Sequence, residues 1–290
     1  MATPAKHWQE VYPLATAAEN WQREGNSTVS TLIVADGSGK KVVEFMTEVL
    51  NAETLAELLS EDKKTVLHAS MKIGDTVVMV KDGTEEVRAF PSWLHLYVED
   101  VDKTYELAMG KGLESVVAPK DEFFGDRMGA VKDSAGNTWW IATHKFNPQC
   151  AGGKKAEHWQ REGHSTVSSW IVADGALKVV EFATEVLNAH TMVYMLSEDK
   201  KTVLHATLKI GDTVVMIQDG NKEAKAFPSW LRVYVEDVDK TYELAVSKGL
   251  ESVQEPKDEF YGDREGGVKD SAGNTWWFAS QKFKAPCPFK

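Results

Sequence analysis

The chain has 290 residues, 42% of them hydrophobic and 27% charged, which is enough for about two domains whose cores need no disulfide support. A formal charge of −11 argues against nucleic acid or an anionic membrane surface as the main partner, and no apolar run reaches the roughly 18 residues that a spanning helix needs. The start, Met1 to His7, has no apolar signal-like core, so a cytoplasmic protein is expected. Two cysteines, Cys150 and Cys287, are too few for a disulfide framework or a cysteine-based zinc site and are read as free thiols.

In chain order, residues 1–25 form an N-terminal extension, and Thr28–Val34 is rich in β-branched residues and predicts a strand. Lys41–Leu50 carries Val42, Val43, Phe45, Met46, Val49 and Leu50 at helical spacing. Strands are expected over Thr54–Leu59, Thr65–Ile73 and Thr76–Lys81, the last two joined by a tight turn at Gly74-Asp75. The order then restarts, with a strand at Trp93–Val98 and a helix at Val101–Lys111. Strands follow at Glu114–Val117, Gly129–Lys132 and Thr138–Thr143. The Glu99 to Asp102 carboxylates cap that helix, because they meet its free N–H groups. The pattern is α+β: βαβββ written twice.

The whole arrangement is then repeated. Trp21-Gln22-Arg23-Glu24-Gly25 returns 138 residues later as Trp159-Gln160-Arg161-Glu162-Gly163, and Gly125-Asp126-Arg127 returns 137 residues later as Gly262-Asp263-Arg264. The lost residue falls in a Gly/Lys-rich turn near Gly37, where a sheet tolerates it. The expected organisation is a first domain over residues 26–146, a Pro- and Gly-containing linker over 147–163, a second domain over 164–283 and a tail over 284–290.

Three motifs occur in both copies: Val66-Leu67-His68-Ala69 with Lys72-Ile73-Gly74-Asp75, the run Leu94 to Val101, and Phe124 to Gly129 with Asp133 to His144. They resemble the hairpin, central strand and Gly-Asp-Arg…Asp-x-x-Gly ending of the glyoxalase/bleomycin resistance protein/dioxygenase (vicinal oxygen chelate) superfamily, in its PhnB-like branch. The resemblance implies tandem domains, each of two βαβββ modules forming a curled mixed sheet around a cavity. It also implies that the second copy acts as an intramolecular dimer partner.

Metal-dependent members of that superfamily hold a divalent ion with His and Glu on four inward strand positions. The resemblance puts these at Ser30, Met79, Trp93 and Trp140 in the first copy, and at Ser168, Met216, Trp230 and Trp277 in the second. A hydroxyl, a thioether and two indoles do not suit such an ion, so neither a metal nor another cofactor is expected, which puts glyoxalase I, dioxygenase and epimerase chemistry in doubt. In place of ligands stand rings. Trp93, His95 and Tyr97 share one strand face, Trp140 faces them, and Phe124 lies on the adjoining loop; the second copy offers Trp230, Arg232, Tyr234, Trp277 and Tyr261. Such a wall suits a small aromatic or amphipathic molecule, although the same rings could simply fill the sheet interior.

Arg127 and Arg264 either grip an anionic ligand or bridge to a carboxylate of the protein. His68 and His205 lack the Glu two residues on that an acid/base pair would need and are read as hydrogen-bonded structural histidines; His144 is read as a solvated strand end. The exchange of His95 for Arg232 predicts that an anionic ligand prefers the second pocket. No nucleophile elbow, phosphate loop or dinucleotide fingerprint is present. Three functions stay open. The first is metal-free binding of a small molecule, for sequestration or transport. The second is a metal-dependent lyase, isomerase or dioxygenase using ligands such as His68 and His95. The third is a structural or assembly protein with filled pockets, docking another chain through the stretch His7 to Glu10.

Overall fold

A computed structural model describes residues 16–147 and 154–284, so Cys150, Cys287, the stretch His7 to Glu10 and the middle of the expected linker lie outside the described residues. After a short strand β1 (Thr16–Ala17), the first repeat begins with β2 (Val29–Ala35), α1 (Gly39–Glu48), β3 (Glu53–Leu59), β4 (Val66–Ile73) and β5 (Thr76–Asp82). Its second module is β6 (Trp93–Tyr97), α2 (Val101–Gly110), β7 (Glu114–Asp121), β8 (Asp126–Lys132) and β9 (Thr138–His144). A small ribbon, β10 (Phe146–Asn147) with β11 (Lys154–Lys155), joins the repeats. The second repeat starts with β12 (Val167–Ala173), α3 (Ala176–Val186), β13 (His190–Leu196), β14 (Val203–Ile210) and β15 (Thr213–Asp219). It continues with β16 (Trp230–Tyr234), α4 (Val238–Ser247), β17 (Glu251–Asp258), β18 (Asp263–Lys269) and β19 (Thr275–Gln281), and β20 (Phe283–Lys284) pairs back to β1.

Two departures from the expected boundaries have local causes. Helix α1 begins at Gly39, ahead of the apolar run, because the Asp82 carboxylate at the end of β5 accepts from the Gly39 N–H at 2.8 Å and acts as a cap supplied from another element. In the second repeat Asp219 does the same for Gly175 and Ala176. Strand β7 runs on to Asp121 past Pro119, which pattern reasoning treats as a stop. The ladder with β8 skips from Val117 to Lys120, so the proline sits in a bulge where no N–H is required.

The described strands form two eight-stranded mixed sheets, and each draws on both repeats. One has the order β17-β18-β19-β16-β2-β5-β4-β3 and the other β13-β14-β15-β12-β6-β9-β8-β7. The first module of one repeat therefore joins, edge to edge, the second module of the other. The antiparallel seams are β2 with β16 and β12 with β6. This corrects the grouping of the four inward positions: Ser30 and Met79 share a sheet with Trp230 and Trp277, whereas Ser168 and Met216 share one with Trp93 and Trp140.

The hydrophobic cores follow a different rule from the sheets. One core joins α1, α2 and the helix-facing residues of the first repeat, such as Ile33, Met46, Leu96 and Trp139, with Phe45 edge-on to Trp139 at 5.3 Å. The other does the same for the second repeat, with Phe182 against Trp276 at 5.1 Å. Val167 is buried in the first repeat's core and Val29 in the second's, which laces the halves together. Each such fully buried valine contributes about 1.5–3 kcal/mol.

The seam is pinned twice by the Gly-Asp turns. Asp75 accepts from the Thr166 N–H and Asp212 from the Thr28 N–H, both at 2.7 Å. Gly74 and Gly211 both have φ +58°, and a Cβ there would fall 2.3 Å from the hydroxyls of Thr166 and Thr28. Glycine is thus required at both turns by conformation and by close approach. Near the middle of the molecule the Thr31 and Ser169 hydroxyls meet at 2.5 Å.

Candidate functional site

Residues alternate faces along a strand, so the face turned away from the helices is read directly from the cores. In the β13-to-β7 sheet that face carries Ser168 and Trp170 on β12, Trp93, His95 and Tyr97 on β6, and Trp140 on β9. Ladder pairing places Ser168 beside His95 and His95 beside Trp140, in one row across three strands. Adjacent strands are spaced 4.7–4.9 Å apart, so the row is about 10 Å long. Trp93 lies 5.6 Å from Trp140 and 5.9 Å from Trp170, and Trp140 lies 5.5 Å from Trp170, all between ring centroids. Phe227 closes on Trp93 at 5.8 Å, and the Trp170 indole is held by Gln218 at 3.0 Å. All three indoles remain partly exposed. This is the histidine cup.

Its polar row lacks protein partners. Among the described residues five buried side-chain polar atoms have none, and three of them are Ser168 Oγ, His95 Nδ1 and Trp140 Nε1. An unpaired buried polar atom is costly, and such groups in native structures mark strain, chemistry or a ligand. Burial pushes the His95 imidazole down to about 3, so it is neutral at any ordinary pH. At the rim, the Asp126 carboxylate accepts from Tyr97 Oη at 2.9 Å, His144 Nδ1 at 2.7 Å and Arg161 Nη2 at 2.8 Å. Burial opposes its charge, but Arg161 and these hydrogen bonds outweigh it and hold Asp126 below the usual carboxylate range. His144 is therefore buried and engaged, not the solvated strand end expected from sequence.

The equivalent row in the other sheet is Ser30, Arg232 and Trp277. Here the centre is ionic. Arg232, 13% exposed, donates to Asp263 at 2.5 Å and pairs with Glu265 at 3.1 Å. Its guanidinium also packs over the rings of Tyr234 and Tyr261, at 5.3 and 5.8 Å from their centroids. Tyr261 Oη donates to Glu265 at 2.6 Å, and Arg23 adds a second guanidinium on Asp263 at 2.7 Å. Burial opposes the Arg232 charge, yet the adjacent carboxylates raise its pKa further, so the ion cluster is permanent. In this arginine cup the charge expected to draw an anionic ligand to the second pocket is already matched by Asp263 and Glu265.

Arg127 and Arg264 do not join either cup. Each is one residue out of phase with its inward neighbours and forks onto the helix cap region, Arg127 onto Asp102 at 2.7 Å through two nitrogens and Arg264 onto Asp239 at 2.6 Å. Of the two roles open to them, the structure adopts the bridge. Phe124 and Tyr261 do reach their cups: Phe124 packs with Tyr97, Met128 and Ala142, and Tyr261 faces Arg232.

Sequence reasoning missed several contributors. Trp170 stands where the first repeat has Leu32, and its two-residue spacing from Ser168 was the available signal. Arg23 and Arg161 belong to the Trp-Gln-Arg-Glu-Gly motif, which marks the repeat and also straps each cup from the other repeat's side. His164 reaches Tyr97 at 5.9 Å from that same strap.

A divalent metal fits neither face. The four positions of the superfamily's ligands offer only hydroxyl, thioether and indole groups, and although His95, Asp126, Asp263 and Glu265 lie nearby, among the described residues no cluster of three or more His, Cys, Asp or Glu side chains is suited to a metal. The fallback pair also separates: His68 lies in the arginine-cup sheet and His95 in the histidine-cup sheet. His68 and His205 instead bond Ser70 and Thr207, both at 2.9 Å. No helix among the described residues is long and apolar enough to cross a membrane.

Comparison with known proteins agrees with this scaffold. The family model for the Glyoxalase/Bleomycin resistance protein/Dioxygenase superfamily matches residues 28–141 and 169–278. Uncharacterized proteins Mb0911c of Mycobacterium bovis and Rv0887c of Mycobacterium tuberculosis are each 29% identical over 119 residues, which is 37% of this chain and 76% and 68% of theirs. Among solved structures, glyoxalase I from Zea mays superposes with TM-score 0.61 at 16% identity over 86% of this chain and 90% of that one. A putative dioxygenase from Bacillus subtilis does so at 0.55 with 10% identity, over 93% and 87%. Both likenesses concern the fold. With the family model covering both repeats, this chain belongs to the Glyoxalase/Bleomycin resistance protein/Dioxygenase superfamily.

Proposed function

We propose that this chain, as a PhnB-like member of the superfamily, is a metal-free small-molecule binding protein that sequesters or carries a flat, uncharged aromatic or amphipathic compound in the histidine cup. The observation that carries the reading is the row Ser168, His95 and Trp140, whose buried polar atoms have no protein partner while three partly exposed indoles surround them. A ligand with a hydrogen-bond acceptor for the Trp140 N–H and a polar edge for His95 and Ser168 would satisfy atoms that the protein leaves unpaired. A charged ligand has no matching ion there, since His95 is neutral and Asp126 is already paired with Arg161.

The test is quenching of tryptophan fluorescence by 7-methoxycoumarin, an uncharged planar lactone, before and after exhaustive dialysis against a chelator. Saturable quenching is expected, unchanged by the chelator and weakened roughly three- to tenfold by Trp140→Phe or Ser168→Ala, as loss of one hydrogen bond predicts. Binding that disappears with the chelator would favour a metal enzyme instead. A second reading, a structural protein with closed cups, is favoured by the mutual contacts of Trp93, Trp140 and Trp170. It predicts no saturable quenching at all.

A further inference from the structure

We infer that the chain carries one open ligand site, not two, and that Arg232 with Glu265 and Tyr261 is a built-in plug occupying the second. The inference rests on the small-molecule reading of the histidine cup and adds which cup is available and what shuts the other.

The two cups share their strands, their register and most of their residues, so the differences between them are informative. At the centre His95 becomes Arg232, two strands away Met128 becomes Glu265, and on the loop Phe124 becomes Tyr261. These three exchanges depend on one another. A guanidinium in a half-closed apolar site needs a counter-charge, which Glu265 supplies at 3.1 Å, and Tyr261 donates to that carboxylate at 2.6 Å. In the histidine cup the neutral imidazole needs no counter-charge, and Met128 and Phe124 stand as apolar groups beside Tyr97 and Ala142 where the other cup has Glu265 and Tyr261. The consequence lies in the polar rows. Ser168, His95 and Trp140 all present unpartnered atoms, whereas Arg232 is bonded to its own carboxylates with Nε as the one orphan, and Ser30 leans on Ser27 at 3.4 Å. Arg232 thus occupies, as part of the chain, the place that a ligand would take between Ser30 and Trp277. A ligand entering there would have to displace it and strand a guanidinium and two carboxylates without partners.

Isothermal calorimetry of the full chain with 7-methoxycoumarin tests this by stoichiometry. The wild type should bind one probe per chain. An opened variant, Arg232→His with Glu265→Met and Tyr261→Phe, should bind two, the second within about tenfold of the first because Leu32 replaces a Trp170-type wall there. A plugged variant, His95→Arg with Met128→Glu and Phe124→Tyr, should lose at least tenfold in affinity. Near-ultraviolet circular dichroism checks that each is folded; should the plugged variant fail to fold, the opened variant, which adds no charge and leaves Asp263 paired with Arg23, still decides. Two probes per wild-type chain, or an opened variant that still binds one, overturns the plug while leaving the small-molecule reading in place. No binding by either the wild type or the opened variant overturns both.

Discussion

At the middle of one sheet stands His95, flanked by Ser168 and Trp140; at the middle of the other stands Arg232, flanked by Ser30 and Trp277. The backbone beneath them is the same, down to the parallel ladders and the seam register. What differs is charge. A buried imidazole can stay neutral and needs no counter-charge, but a buried guanidinium cannot shed its proton and must collect carboxylates. The arginine at the centre is therefore matched by Glu265 and Tyr261, and that face carries an ionic cluster where the other presents unpaired polar atoms. The two cups rest on the same strand register, and a few residues make them unequal.

The largest effect should come from removing the carboxylate on which the arginine cup depends. Asp263→Ala leaves Arg232 with Glu265 alone and Arg23 with only the Tyr261 carbonyl, and should cost about 3–5 kcal/mol, the range for breaking a buried ion pair. Asp126→Ala in the histidine cup strands one guanidinium, Arg161, which is more exposed than Arg232 and keeps its bond to the Phe124 carbonyl, so the loss should be smaller by at least about 1 kcal/mol. Urea unfolding of both variants gives the comparison, and equal losses would mean that the cups are electrostatically alike.

Acid should act through the imidazoles. The folded pKa of His95 is about 3, against about 6.5 in an unfolded chain, so burial favours the neutral form. Its contribution to stability is complete above pH 6.5 and is lost as pH falls through the window from 6.5 towards 3. Between pH 7 and pH 4 the wild type should lose on the order of 3 kcal/mol more than His95→Gln. His68, held down to about 4 by burial and by Arg232, works in the same direction in the other sheet, so some acid sensitivity remains in the variant. Matching pH profiles for wild type and His95→Gln would place His95 in contact with water.

The smallest effect belongs to the arginines outside the cups. Arg127→Gln removes a bidentate but partly exposed bridge to Asp102, worth about 1 kcal/mol or less, and should leave probe affinity unchanged. A tenfold loss of affinity in that variant would return Arg127 to the site.

Much of this was legible in the sequence because the signals were periodic. Val, Ile and Thr alternation gave the strands, the 138-residue offset gave the duplication, and period two put Trp93, His95 and Tyr97 on one face. The partnership of strands was not legible. Nothing local says that β2 pairs with β16 in preference to β6, since the choice lies in Thr28 and Thr166 docking on the distant turns at Asp212 and Asp75. Nor could sequence choose between the two roles of Arg127, because its Asp102 partner lies 25 residues away on a helix whose acidic start reads as capping alone. The pairing of Arg232 with Glu265 was hidden for a related reason: their counterparts in the first repeat are His95 and Met128, and only the geometry of β16 and β18 shows that the two differences answer each other.

The most direct test of the unequal cups uses the indole N–H groups as reporters. The chain has ten tryptophans, and two-dimensional nuclear magnetic resonance of the 15N-labelled protein resolves their indole signals, assignable by single Trp→Phe variants. On adding 7-methoxycoumarin, the signals of Trp93, Trp140 and Trp170 should move together and saturate, with Trp140 moving furthest as its N–H gains an acceptor, while Trp230 and Trp277 stay in place. Equal movement of Trp230 and Trp277 would contradict the account, and so would a spectrum in which none of the five signals moves.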